Sequence, residues 1–447
     1  MRMFWEFFTF ELRFRAKSVS TYVYFLLWVT FSFLCVASEN FGPVANSNGK
    51  VLLNGPFAIT FNDQVSGLFG IIVTAAIFGT AILRDFQRDT YQILFTKPVS
   101  KFAYLGGRWA GSFVTTVLVF SGLLVGAYLG TFAPWADHAR IGPNHLRWYL
   151  EPFASIVVIQ IFFTGSLFFA VAALTRKIFI VYLQGVALFM MYLVGLTVFS
   201  ATRSLEHFWS GVLDPVGLLM NNAIARYWSV VEKNTQLFPW DFSGYSPGVF
   251  LFNRLLWISV GIAALGAVWA LFPMSVEALT ARSQGKRAAK VRQQEEATLQ
   301  RKRSFVAVQL PKVHQLFGWG TSFRQFLALT TLRIRLILKE VPFWAIVGLL
   351  IVFAVNNGNF AGRVGGIDVW PVTYLMAQAV EGSAMLFFFI VAALYAAELI
   401  WRERDTHFDG IHDALPIGES GDWLSKLTAI GFVECVLLVV TMLIGML

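Results

Sequence analysis

Few side chains in this sequence are placed to do chemistry, and those that stand out lie in apolar surroundings. Glu434 falls near the middle of the run 427–447, Glu398 lies closer to the end of another apolar run, and Gln160 and Gln184 sit inside two more. A charge in hydrocarbon costs a few kcal/mol or more, so such a residue is a default suspect for a proton or substrate relay. The plainer role, favoured for Glu434, is interhelical hydrogen bonding with a partner from further spans. The six histidines form no obvious ligand set, and the pair His407 and His412 reads as solvated surface rather than a metal site. No GxxxxGK[ST], HExxH or Ser/His/Asp arrangement occurs, so neither a phosphate cradle nor a catalytic or zinc centre is expected within the chain. Cys35 and Cys435 both fall in apolar runs, which argues against a disulfide framework or a thiolate metal site.

Two polar stretches carry more information. The segment 84–111, RDFQRDTYQILFTKPVSKFAYLGGRWAG, is basic, contains a turn, and separates two long apolar runs. A second segment, 401–429, reads WRERDTHFDGIHDALPIGESGDWLSKLTA in the same setting. Arg88-Asp89-Thr90 matches Arg404-Asp405-Thr406 with a shift of 316, and Lys97-Pro98-Val99 matches Leu415-Pro416-Ile417 with a shift of 318. Further upstream, Leu12-Arg13-Phe14-Arg15 matches Leu332-Arg333-Ile334-Arg335 with a shift of 320. The chain therefore reads as a first module, 1–275, a basic linker, 276–319, and the start of a second module, 320–447. A complete second copy would need three more spans.

These segments need membrane helices to hold them. The sequence is 57% hydrophobic and 14% charged, against roughly 25% charged in a soluble domain. About 20 mostly apolar residues cross hydrocarbon as a helix. Nine candidates meet that length or approach it: 22–37, 66–83, 112–132, 153–175, 178–199, 250–272, 343–355, 382–401 and 427–447. The expected fold is all-α, a polytopic transmembrane bundle. With the N-terminus in the cytoplasm, 27 of the 35 Lys and Arg fall on the cytoplasmic side, as basic loops resist translocation. The net charge of +9 then reflects topology and attraction to anionic lipid, not nucleic-acid binding. Residues 2–18 place Arg2, Glu6, Thr9, Arg13 and Lys17 on one helical face and phenylalanines over the rest, the pattern of an interfacial helix. The first outer loop, 38–65, should be loosely folded. In the basic loop, Asp89-Thr90 should cap a short helix ending near Lys97-Pro98. The connection 200–249 is too long for an idle loop and should form an external cap. Trp148, Trp228, Trp240 and Trp370 read as interfacial anchors.

The order of these features resembles the type-2 class of ABC transporter permeases: an interfacial helix, six spans, a basic loop after the second span and a large loop before the sixth. The basic loops are similar to that class's E-R-x-x-G-T…P…K pattern, through Arg88, Asp89, Thr90, Pro98 and Lys101, and through Glu403, Arg404, Asp405, Thr406, Pro416 and Lys426, with Asp in place of Gly in both. The resemblance implies that these loops, with the N-terminal helix, dock on a separate ATPase subunit that holds ATP and Mg. It also implies a second permease module or a homodimer, and a bacterial cytoplasmic membrane. Asp214-Pro215-Val216-Gly217, Arg226-Tyr227-Trp228, Glu232-Lys233-Asn234 and Asn253-Arg254-Leu255-Leu256-Trp257 resemble the external loop and sixth span of large bacterial proteins in which two permease modules precede a zinc aminopeptidase. No peptidase motif is present here. Two other classes stay open: a non-transporting membrane anchor or scaffold, and an ion-coupled secondary transporter using Glu398 or Glu434.

Overall fold

Hydrocarbon offers no hydrogen bonds to a backbone, so apolar runs of this length must close their own as helices. A computed structural model describes residues 2–42, 44, 50–201, 208–221, 228–237, 248–274, 318–360, 363–364, 367–368, 370, 372–405, 410 and 418–446. Apart from a two-residue antiparallel pairing of Arg363–Val364 with Ile367–Asp368, the regular structure among them is helical. Eight of the described helices are long and apolar enough to cross a membrane, or nine if one bent pair counts as a span. The chain divides into two units, Met1–Leu279 and Thr280–Leu447. Most of the basic linker lies outside the described residues.

The first unit begins with α1 (Arg2–Ala16) and α2 (Val19–Ala37), followed by α3 (Pro56–Phe69) and α4 (Ile71–Gln87). The last two are bent by 49° across Gly70. A Cβ at Gly70 would stand 2.3 Å from the Phe120 ring and 2.8 Å from the Ser66 carbonyl oxygen, so only glycine lets this corner close. Two expectations fail here. The span predicted at 66–83 is this broken pair, and the loop predicted to be loose through residue 65 contains α3, which is buried over most of its length. The polar residues of α3 hid a helix from a reading based on apolar runs.

A four-residue helix, α5 (Tyr91–Leu94), interrupts the basic loop. Next come α6 (Lys101–Phe120) and α7 (Gly122–Gly130), which together form one membrane-length element starting earlier than the predicted 112. Ser100 starts α6, its side chain accepting from the Ala103 N–H. Gly122, Gly126 and Gly130 lie one turn apart and bring α7 against the α2 backbone; a Cβ at Gly126 would be 2.2 Å from the Val29 carbonyl oxygen. Then α8 (Leu146–Pro152) passes through a π-helical turn, Phe153–Val158, into α9 (Ile159–Thr175). Pro152 has no N–H to continue regular bonding, and the wider turn follows it directly. Arg176 in a left-handed conformation makes the expected tight turn into α10 (Ile178–Ala201).

The described part of the long connection holds α11 (Phe208–Val212) and α12 (Val230–Thr235), the latter opened by a capping box between Ser229 and Glu232. The unit ends with α13 (Val249–Leu271). One apolar core joins Val36, Phe57, Tyr149, Ile156, Leu219 and Phe250, with Trp228 packed at its edge.

The second unit has four described helices: α14 (Trp319–Leu338), α15 (Val341–Phe360), α16 (Thr373–Asp405) and α17 (Glu419–Gly445). All three predicted spans are longer than their apolar runs, because polar residues at their ends continue the helix. Where the first unit breaks at Gly70, α16 is continuous.

Candidate functional site

The basic loop 88–100 is anchored by a buried cluster of charges. Gly107 and Gly111 on α6 let α1 lie close, since a Cβ at Gly111 would meet the Glu11 Cβ at 2.6 Å. Glu11 is thereby fully buried. It accepts from three guanidinium groups: Arg15 Nε at 3.1 Å, Arg84 Nη2 at 2.6 Å and Arg108 Nη1 at 2.8 Å. Arg108 turns its other edge to Asp85, donating from Nη2 to Oδ1 at 2.9 Å and Oδ2 at 2.8 Å, and the Tyr104 hydroxyl donates to the same carboxylate at 2.9 Å. Arg15 also donates to the Ile77 carbonyl at 2.6 Å and to Thr80 Oγ1 at 2.9 Å. Three helices, α1, α4 and α6, are thus joined where the loop leaves and re-enters the bundle. The Arg84 guanidinium stacks 3.7 Å from the Phe14 ring centroid.

Burial by itself would raise the Glu11 carboxyl, but Arg15, Arg84 and Arg108 together hold it below the ordinary value of 4.5. A buried pair need not stabilise more than an apolar replacement, yet removing one partner strands the other charge at about 3–5 kcal/mol. Such a cluster fixes geometry.

The second unit carries a cluster of the same kind. Arg333 on α14 donates to the Asp422 carboxylate, to Ser425 Oγ, to the Asp422 carbonyl at 3.0 Å and to Glu403 Oε1 at 3.3 Å. Lys426 bridges Asp422 Oδ2 at 2.9 Å and Glu403 Oε2 at 3.4 Å. Arg402 pairs with Glu340 at 2.9 Å. Arg15 and Arg333, Arg84 and Arg402, Asp85 and Glu403, Pro98 and Pro416, and Arg108 and Lys426 are each 318 residues apart. The helix ends keep this register: Gln87 ends α4 and Asp405 ends α16, while Lys101 begins α6 and Glu419 begins α17. This corrects the shifts of 316 and 320, together with the two-residue insertion they implied. The residue equivalent to Lys426 is Arg108 in the cluster, not Lys101, whose ammonium lies 5.8 Å from the Trp269 ring.

The other sequence candidates are scattered. Arg88, Asp89 and Thr90 are exposed, and Pro98 is exposed beyond α5. Asp89 adopts φ 54°, and the Thr90 hydroxyl donates back to the Asp85 carbonyl at 3.2 Å, so neither side chain caps the loop helix, which ends at Leu94. Arg404 and Asp405 fall within α16; their side chains, with Thr406 and Pro416, lie outside the described residues. Glu434 on α17 is half-buried with neither carboxylate oxygen bonded among the described residues, and Gln160 and Gln184 each have a buried, unbonded Oε1. Glu398 lies half-buried on α16.

The external-loop residues form one built corner. Asp214, fully buried, accepts from the Gly217 and Leu219 N–H groups at 2.7 Å each and from the Tyr192 hydroxyl at 2.8 Å. Burial pushes its carboxyl above the ordinary value despite those bonds and the nearby Arg254. Gly217 holds φ 95°, and the Pro215 carbonyl accepts from Arg254 Nη1 at 3.1 Å. Asn234 clips the chain near residue 50, accepting from the Leu52 N–H at 2.8 Å and donating to the Lys50 carbonyl at 3.1 Å. These contacts read as scaffold.

Sequence reasoning did not single out Glu11, Arg84, Asp85, Arg108 or Asp422 as site residues, and it met Arg15 and Arg333 only as landmarks of the repeat. A usable signal existed, since Glu11 and Arg15 stand at i,i+4 spacing and the charged residues recur at one constant offset. No protein-family model, curated protein or solved structure matches the chain.

Proposed function

We propose that this chain is the transmembrane permease subunit of an ATP-driven ABC exporter, coupled through its basic loops to a separate ATPase that holds ATP and Mg. In this reading the protein lies in a bacterial cytoplasmic membrane with its N-terminus inside. The observation that carries it is the buried charge cluster at the root of each basic loop. A loop anchored to one helix would bend under a partner's push. A loop whose two ends are locked through Glu11, Arg108 and Asp85 to α1, α4 and α6 moves those helices as a body.

The loop also offers something to grip. A cleft of about 470 Å³ opens between α1 and the loop helix, with Phe10, Phe14, Ile93 and Leu94 on its apolar walls and Arg88 at its rim. Ile93 is 68% exposed, as an anchor for a partner should be.

The test is co-expression with an ATP-binding protein encoded beside this chain, followed by purification and ATPase assay in liposomes. The expected result is a stable complex whose ATPase activity depends on the membrane subunit and which Ile93→Glu disrupts without unfolding the chain. A complex indifferent to Ile93→Glu, or no complex, would instead favour the anchor reading.

A further inference from the structure

Helix α3 carries Thr60, Asn62, Asp63, Gln64 and Ser66 in close succession, and all five are buried. Two have evident partners: Asn62 Nδ2 donates to Ser32 Oγ at 2.9 Å, and Gln64 Nε2 to the Gly217 carbonyl at 3.0 Å. Asp63 differs. It is 2% exposed, and its Oδ2 has no hydrogen-bond partner among the described residues. The other buried carboxylates described in this unit are matched, Glu11 and Asp85 by arginines and Asp214 by N–H and hydroxyl donors.

Unsatisfied buried polar atoms near α3 include donors, Trp28 Nε1 on α2 and Arg254 Nε and Nη2 on α13, none of which bonds Asp63, and oxygens. Thr60 Oγ1 and, on α9, Gln160 Oε1 are buried without partners among the described residues. Gln160 Oε1 lies 2.2 Å from where a Gly67 Cβ would stand, so the missing side chain is what admits the amide to this face of α3. Positions 60, 63 and 67 share that face, and helical side chains incline toward the N-terminus. The Asp63 carboxylate therefore inclines toward the Thr60 turn, and Gln160 Oε1 stands on the same face one turn further on, at Gly67. Charged groups around α3 are engaged elsewhere: Arg147 with Glu151, Glu232 with Ser229, Arg84 and Asp85 in the cluster, and Arg254 through Nη1 with the Pro215 carbonyl. Lys233 stands over the Phe57 ring at 5.5 Å.

A buried carboxylate to which no donor is bonded calls for positive charge, because an uncompensated buried ion is too costly to keep. We propose that Asp63, Thr60 and Gln160 form an internal site for one monovalent cation, either a proton on the Asp63 carboxyl or a sodium ion shared by the three oxygens. In both cases a single charge neutralises Asp63 and links it to Gln160 Oε1. In the second unit the residue at the same offset as Asp63, Glu381, is exposed on the unbroken α16.

The test uses the full chain in detergent, with infrared spectroscopy and radioactive sodium binding on wild type, Asp63→Asn and Gln160→Leu. With a proton in place, wild type shows the carbonyl stretch of a protonated buried acid. That band vanishes in Asp63→Asn and moves to higher frequency in Gln160→Leu. With sodium in place, wild type binds it saturably, and each variant binds about tenfold more weakly or worse. Gln160→Leu leaves the carboxylate intact, so it decides the matter if Asp63→Asn fails to fold. Wild type with neither an Asp63-dependent acid band nor saturable sodium binding overturns the proposal, as does Gln160→Leu behaving like wild type in both measurements.

Discussion

The two charge clusters occupy matching positions in their units and are built with opposite centres. In the first unit α1 supplies an acid, Glu11, which gathers Arg15, Arg84 and Arg108. In the second α14 supplies a cation, Arg333, which gathers Glu403 and Asp422. At the constant offset, Glu11 corresponds to Leu329 and Tyr104 to Asp422. The acid has moved from the first helix to the third while Arg15/Arg333, Asp85/Glu403 and Arg108/Lys426 kept their places. What matters at this site is therefore a closed set of charges between three helices. Which helix carries which sign is secondary.

That comparison can be broken by removing its shared member. Arg108→Met strands Asp85 with only the Tyr104 hydroxyl and takes one of three guanidinium partners from Glu11, and we expect a loss of about 3–5 kcal/mol, read as the unfolding free energy in mixed micelles. A loss under about 1 kcal/mol would mean the cluster is not closed in the way the distances indicate. The comparison is sharpened by converting one unit into the other. Glu11→Leu should cost about 3 kcal/mol alone, and adding Tyr104→Asp, which reproduces the Leu329/Asp422 pattern, should recover about 1–2 kcal/mol. No recovery would show that the two clusters tolerate different arrangements.

Arg333→Met should cost less than Arg108→Met, about 2 kcal/mol. Glu403 and Asp422 keep 25% and 12% side-chain exposure and retain Lys426. Acidity gives a further contrast. Because Glu11 sits below its ordinary value of 4.5, its stabilisation is complete above that pH and drains away as pH falls through the lowered folded value. Glu11→Gln should therefore flatten the acid limb of the stability curve below about pH 4.5 while leaving its shape near neutrality unchanged. Thr90→Ala should change stability by no more than about 0.5 kcal/mol. Its hydroxyl bonds only the Asp85 carbonyl at the surface, whereas a true helix cap would cost about 1 kcal/mol.

Membrane character and the number of apolar helices were legible from composition and run length. Hydrocarbon imposes those features residue by residue, without reference to partners. The broken pair α3–α4 was not legible, because a helix buried inside protein can be polar and the bend depends on Phe120, fifty residues away from Gly70. The loop motif drew attention to Arg88 and Lys101, which sit at the surface or its margin, while Arg84, Asp85 and Arg108 close beside them carry the buried bonds.

The sequence by itself determined an all-helical membrane chain with two related segments, since apolar length and repeated spacing are local properties. Only the tertiary structure decided which charges are buried, that Glu11 and Arg333 are centres of opposite sign, and that Asp63 lies buried with no donor bonded to Oδ2 among the described residues. The reason is physical: the free energy of an ionised side chain depends on the groups that replace its water, and those arrive from helices far along the chain.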